Sequence, residues 1–260
     1  MPQAVDVHYH IEGEGPAIFL IHGISASHHA WAGVVKNLKK EFTCISYDLR
    51  GHGQSPKATT PYSLDEMVAD LEQLRKKLGI EQAHIAGHSL GGMIGPAYAK
   101  AYPERTLSVG LLSTAAGRTK DDSSKVLAVV EKLENEGIAA ILDALVGRWF
   151  TDEFAAKSPE LIASRLAQVQ SNDPDVFATV FRMYAETEMA PWLDQVHTPA
   201  LVLTGECDGG CNPRLNTFIA EQLPNAKLVI LDNLKHAIMF EAPNLVSEHL
   251  LSFLRENNPT

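Results

Sequence analysis

A mixed α/β fold, with a mostly parallel central sheet flanked by helices, is predicted by three observations on this 260-residue chain. Short apolar runs alternate with stretches whose apolar residues return every three or four positions, the pattern of a parallel sheet with helical crossovers. A glycine-flanked serine stands in Ile85-Ala86-Gly87-His88-Ser89-Leu90-Gly91-Gly92, where a strand-like run meets a helix-like one. Between about Arg118 and Pro191 the strand signals vanish, which predicts a helical cap inserted before the last two strands.

Taken in order, the strand runs are His8 to Ile11, Ala17 to Ile21, Phe42 to Tyr47, Ala83 to Ala86, Val109 to Leu112, Leu201 to Thr204 and Lys227 to Leu231. Leu64 to Leu78 has helical periodicity, and Gly79 supplies a residue suited to end it. Met93 to Ala101 reads as the helix after the serine turn, and Pro96 is expected to interrupt it because proline removes a ladder donor. The stretch 118–190 reads as several short helices broken by Gly137, Gly147, Pro159 and Pro174. Residues 1–117 and 191–260 are therefore assigned to the core and 118–190 to the cap. A hydrophobic content of 45% at this length can bury one such sheet in a single domain.

The formal net charge of −10 argues against nucleic acid and anionic membrane surfaces as partners and leaves a small molecule. No apolar run reaches the length of a bilayer span, and none near Met1 resembles a secretory leader, so a cytoplasmic protein is expected. Cys44, Cys207 and Cys211 are odd in number and spaced unlike a disulfide framework. Cys44 reads as a small core residue, and Cys207 and Cys211 as packing residues or free thiols rather than metal ligands. No metal site is expected. His28-His29 reads as a surface loop, since adjacent histidines diverge on most backbones and no further ligand stands at metal-binding spacing.

Gly87 and Gly91 sit two residues either side of Ser89, where a Cβ would collide with the crowded backbone of a tight strand-to-helix turn; such a turn exposes the serine hydroxyl. A hydroxyl is a poor nucleophile at neutral pH, so a base must remove its proton and a carboxylate must orient that base. Asp208 follows the strand ending at Thr204, and His236 follows the strand ending at Leu231. Both lie past strand ends, where an open parallel sheet forms its ligand crevice. The order Ser89, Asp208, His236 is the one expected of a nucleophile elbow. Asp232 competes with Asp208 for the acid role. Two backbone N–H groups are also needed for a developing oxyanion. Leu90 is assigned one, and Ile24 the other, in the loop His22-Gly23-Ile24-Ser25, with Ser25 as the alternative. His88 reads as structural, because a side chain adjacent to Ser89 on such a turn points away from it.

On these residues the chain resembles an α/β-hydrolase: His22-Gly23, Asp48-Leu49-Arg50-Gly51-His52-Gly53-Gln54-Ser55, the Ser89 elbow, and His236 followed by Glu241 and Pro243. The match spans nearly the whole chain. Within that superfamily it is most similar to the 3-oxoadipate enol-lactonase group and related carboxylesterases, through Ser113-Thr114-Ala115-Ala116 and Gly147-Arg148-Trp149-Phe150. It departs from that group in Ala237-Ile238-Met239 after the histidine, in an acid loop one residue longer to Pro213, and in Pro96.

The resemblance implies hydrolysis of a small carboxylic ester or lactone through an acyl-enzyme, without a cofactor. His236 would act as base, Asp208 as its orienting acid, and the Leu90 and Ile24 amides as oxyanion donors. The same constellation serves carbon–carbon bond hydrolysis, perhydrolysis and amide cleavage, and a binding protein that has lost its chemistry is the reading from a different class. An acidic protein acting on a carboxylate-bearing lactone needs a local cation. The cap offers Arg118, Arg148, Arg165 and Arg182; Arg148 is the candidate, with Trp149 and Phe150 as an apolar wall and Ser25 as a further substrate contact.

Overall fold

The computed structural model describes residues 2–59 and 62–258. Seven strands form one sheet: β1 (Tyr9–Glu12), β2 (Ala17–Ile21), β3 (Thr43–Tyr47), β4 (Ala83–His88), β5 (Thr106–Leu112), β6 (Ala200–Gly205) and β7 (Ala226–Leu231). Their order across the sheet is β1-β3-β2-β4-β5-β6-β7. Only β1 is antiparallel to its neighbour, so the architecture is the expected α/β sheet. The seven runs lie where the sequence placed them, Ala17–Ile21 at both ends and the others with ends differing by at most three residues.

Period-two alternation divides the strand side chains between two cores. Phe19, Ile21, Ile45, Tyr47, Ile85 and Val202 pack on one face, together with residues of α2 (Leu64–Lys77) and α3 (Gly91–Ala101). Ile18, Leu20, Cys44, Ala86, Leu201 and Leu203 pack on the other, against α1 (Ala32–Leu38) and α11 (Pro243–Glu256). Cys44 is thus the core residue its strand position implied. Each such buried aliphatic side chain stabilises the fold by roughly 1.5–3 kcal/mol.

Local signals set the helix ends. Ser63 caps α2 by accepting from the Glu66 N–H, acids occupy its first turn and Arg75, Lys76 and Lys77 its last, and Gly79 follows at φ +66°. Pro96 does not interrupt α3, which runs unbroken through it. Proline there removes a single ladder donor, and its ring is buried with the rest of that face.

Between β5 and β6 the chain forms helices only: α4 (Lys120–Glu136), α5 (Leu142–Trp149), α6 (Asp152–Lys157), α7 (Pro159–Gln170) and α8 (Pro174–Glu186). Thr119 and Asp122 form a reciprocal capping box at the start of α4, and Gly137 ends it at φ +81°. Val130, Leu145, Val169 and Phe177 join the α2–α3 side core, which fastens this insertion to the sheet. Helices α9 (Pro213–Gln222) and α10 (Ile238–Glu241) follow β6 and β7. Among the described residues no helix is long and apolar enough to cross a membrane.

Candidate active site

Ser89 immediately follows β4 and holds φ +55°, a left-handed backbone that non-glycine residues seldom adopt. The turn is possible because its glycines lack Cβ atoms. A Cβ on Gly87 would lie 1.9 Å from the Gly91 carbonyl oxygen, and one on Gly91 would lie 2.2 Å from that of Ile21. The sharp reversal therefore forces Ser89 to the apex at the N-terminus of α3, where helix amides and the positive end of the helix dipole converge.

Asp208 stands three residues past β6, and His236 follows β7 on the adjacent strand. The Asp208 carboxylate is 2% exposed and takes three donors. Its Oδ1 accepts from the Gly210 and Cys211 amides at 2.9 and 2.8 Å, and its Oδ2 accepts from His236 Nδ1 at 2.7 Å. Burial works against the carboxylate charge, but His236 and these donors hold its pKa below the ordinary range. Burial likewise opposes a charged His236, yet the Asp208 carboxylate outweighs it and lifts the imidazole above its usual 6.5. Asp232, the alternative acid, is exposed on the turn after β7.

The loop after β2 is fastened from several sides. His22 Nδ1 donates to the Gly23 carbonyl at 2.7 Å while its Nε2 accepts from the Leu49 amide at 2.9 Å, and burial drops its pKa to about 3, so it stays neutral. Gly23 lies against Ser89, whose Cβ would stand 3.0 Å from a Cβ placed there. Ser25 is buried at φ +59°. Among the described residues, the amides of Leu90 and Ile24 donate to no protein acceptor.

One cavity brings Ser89, His236 and the loop after β2 together with the helical insertion. Ser89, His236, Ile24 and Ser25 line it from the sheet side, and Arg148, Trp149 and Arg165 from α5 and α7. Phe150 completes the apolar wall expected of the Trp149-Phe150 pair. Of the other two arginines of the helical insertion, Arg118 donates to the Tyr184 and Thr187 carbonyls at the end of α8, and Arg182 pairs with Glu134 and Glu186.

Three residues have contacts that sequence reasoning missed. His88 lines the cavity, and its Nε2 donates to the His236 carbonyl at 2.9 Å, so it holds the backbone of the imidazole. Cys211 lies buried between Tyr184, whose hydroxyl is 3.3 Å from its sulfur, and the Asp208–His236 pair. His28 is not part of a surface loop: it is buried, and its amide and Nδ1 donate to Asp48 Oδ1 at 2.7 and 2.9 Å. Nor do the adjacent rings diverge, for those of His28 and His29 are 3.9 Å apart. His8 and Asp48 supply the further groups that local spacing hid. The Asp48 oxygens are occupied by His8, His28 and the Gln54 amide, so the group is explained as a set of hydrogen bonds.

A family model described as alpha/beta hydrolase fold matches residues 16–243. The 3-oxoadipate enol-lactonase 2 of Acinetobacter baylyi is 26% identical over an alignment covering 95% of this chain and 91% of that protein. Among solved structures, the enol-lactonase from Burkholderia xenovorans LB400 has a TM-score of 0.90 at 28% identity, with 97% of this chain and 99% of that one covered. A thermophilic esterase from Thermogutta terrifontis, solved with malate bound, gives 0.89 at 25% identity, with 98% and 95% covered.

Proposed function

The chain belongs to the alpha/beta hydrolase fold family, and from that premise we propose that it is a serine hydrolase cleaving a small carboxylic ester or lactone through an acyl-enzyme. The observation that carries the reading is the shared cavity: Ser89 on its strained turn, His236 held from behind by Asp208, and Ile24 with its unengaged amide all border one space. In this mechanism His236 Nε2 takes the Ser89 proton as the hydroxyl attacks the carbonyl. Asp208 fixes the tautomer that leaves Nε2 free and stabilises the imidazolium that forms. The Leu90 and Ile24 amides receive the oxyanion, which adds hydrogen bonds that strengthen as charge develops. Collapse of the oxyanion breaks the ester C–O bond as His236 gives its proton to the leaving oxygen, and water, deprotonated by the same imidazole, then attacks the acyl carbonyl and frees Ser89, which takes the proton back. The route uses no cofactor.

The helices of residues 118–190 act as a cap that bounds the substrate, and Arg148 is a substrate anchor on it. Arg148 supports that role because, among the described residues, it has no carboxylate or hydrogen-bond partner. An enol-lactone bearing a carboxylate fits this chemistry, as do the enol-lactonase relatives at 26% and 28% identity. The deciding assay offers wild-type enzyme 3-oxoadipate enol-lactone beside short neutral p-nitrophenyl esters. Turnover of the lactone supports the lactonase reading, turnover of neutral esters alone leaves a general esterase, and turnover of neither rejects the hydrolase.

A further inference from the structure

Among the described residues three arginines are buried, and two of them hold carboxylates. Arg50 pairs with Asp70 and Glu66, and Arg75 pairs with Glu72. Arg165, on α7, is 8% exposed and has no anionic partner among the described residues. Burying an unpaired charge is costly, so the arrangement asks what it is for. Its surroundings answer in part. The guanidinium lies over the Trp149 ring at 4.7 Å, a favourable cation–π contact. Nη1 donates to the Ser25 carbonyl at 2.8 Å and to Gln168 Oε1 at 3.2 Å, and Nη2 donates to Ser25 Oγ at 3.1 Å.

A guanidinium has five N–H donors in a rigid plane. Ser25 takes the end of the fork with its two oxygens, and Gln168 takes the remaining Nη1 hydrogen. Nε–H and the second Nη2–H, which project side by side from one edge, have no partner among the described residues. Two parallel N–H groups at that spacing are the complement of a carboxylate. The residue lines the Ser89 cavity, and no Asp or Glu is among that cavity's lining residues, although the chain as a whole carries a net charge of −10. Desolvation lowers the Arg165 pKa only to about 10, which leaves it cationic at neutral pH.

We propose that Arg165 is a second carboxylate-binding residue inside the cavity, beside Arg148, and that a substrate's free carboxylate docks on its Nε–Nη2 edge. The proposal rests on the hydrolytic reading of the Ser89 cavity and narrows its substrate class. Arg165 does a second thing at the same time, since it clamps Ser25 beside the Ile24 amide. A clamp alone would serve every substrate equally; an anchor discriminates between charged and neutral ones.

The test has two arms. In the first, glutarate and its uncharged analogue glutaramide are titrated into wild type, Arg165→Gln and Arg165→Lys by calorimetry, with circular dichroism to verify folding. Glutarate is expected to bind wild type, to weaken by about 10-fold or more in Arg165→Gln, and to weaken less in Arg165→Lys, which retains charge but loses the fork. Glutaramide is expected to bind none of them. In the second arm, mono-p-nitrophenyl glutarate and its methyl ester are compared as substrates. Wild type is expected to prefer the acid through KM. Arg165→Gln is expected to lower the acid's kcat/KM by at least about 10-fold more than the ester's, so that the preference collapses. Equal losses on both substrates, or wild type that does not bind glutarate, overturn the anchor and leave a clamp. Glutarate binding lost in Arg165→Gln, without turnover of either ester by wild type, upholds the carboxylate site and removes the hydrolase reading.

Discussion

The two walls of the cavity are built on different terms. On the sheet side, polar groups are paired into a fixed frame: Asp208 takes three donors, His236 is held at its ring by Asp208 and at its carbonyl by His88, and His22 is bonded at both nitrogens. On the helical side, Arg148 has no polar partner among the described residues and Arg165 keeps two N–H groups unused. A frame with saturated internal bonds is suited to hold reacting groups within a fraction of an ångström, and unused donors are suited to meet a ligand. On the proposed function, that difference places chemistry at the strand ends and selectivity in the insertion.

That division is broken most sharply from the sheet side. Ser89→Ala is expected to reduce ester turnover by roughly 10⁴-fold while leaving KM and the fold nearly unchanged, because the triad members act as a unit. Stopped-time assays against a p-nitrophenyl ester check it, and near-full activity would remove the elbow from the chemistry. Asp208→Asn is expected to cost roughly 10³-fold or more, for want of the orienting carboxylate. Asp232→Asn, on an exposed turn, should change turnover by less than about 2-fold.

The pH profile sharpens the same point. His236 must be neutral to accept a proton, and Asp208 lifts its pKa above 6.5, so kcat/KM should climb with rising pH through an inflection above that value. In Asp208→Asn the lifting charge is gone while burial, which favours the neutral ring, remains. The inflection of the residual activity should therefore move down, to 6.5 or below. An inflection that stays in place would mean that Asp208 does not govern the base.

Smaller effects are expected from the helical side. Arg148→Ala should raise KM for carboxylate-bearing lactones by around 10-fold, the loss of a charge-assisted contact worth about 1.5–3 kcal/mol, and leave kcat nearly unchanged. Gly147 lies within α5 with nothing within 4 Å of where a Cβ would stand. Gly147→Ala should therefore stabilise the protein by about 0.5–1 kcal/mol in denaturant titration, whereas Gly87→Ala, meeting a carbonyl oxygen at 1.9 Å, should prevent the turn from forming.

What could be read without coordinates follows from range. The elbow is legible because Gly87, Ser89 and Gly91 lie within five residues and each answers to local sterics. Asp208 and His236 are legible because parallel strands deliver their C-terminal ends to one edge, whatever the intervening sequence. The partners of His88 and Arg165 are not, since those contacts cross 148 and 140 residues and leave no periodicity. Arg148 stands out in the sequence through its neighbours in Gly147-Arg148-Trp149-Phe150; no local feature distinguishes Arg165, which only the fold brings onto the Trp149 ring. Pro96 is the opposite case: the local rule for proline points to a break, and the packing of α3 overrides it.

The central claim is a covalent one, and covalent labelling tests it most directly. Wild-type protein and Ser89→Ala are treated with a fluorophosphonate probe, digested, and mapped by mass spectrometry. A single adduct is expected on the Ser89 peptide of the wild type and none in the variant. An adduct on another serine, or an unlabelled wild type that still hydrolyses esters, would contradict it.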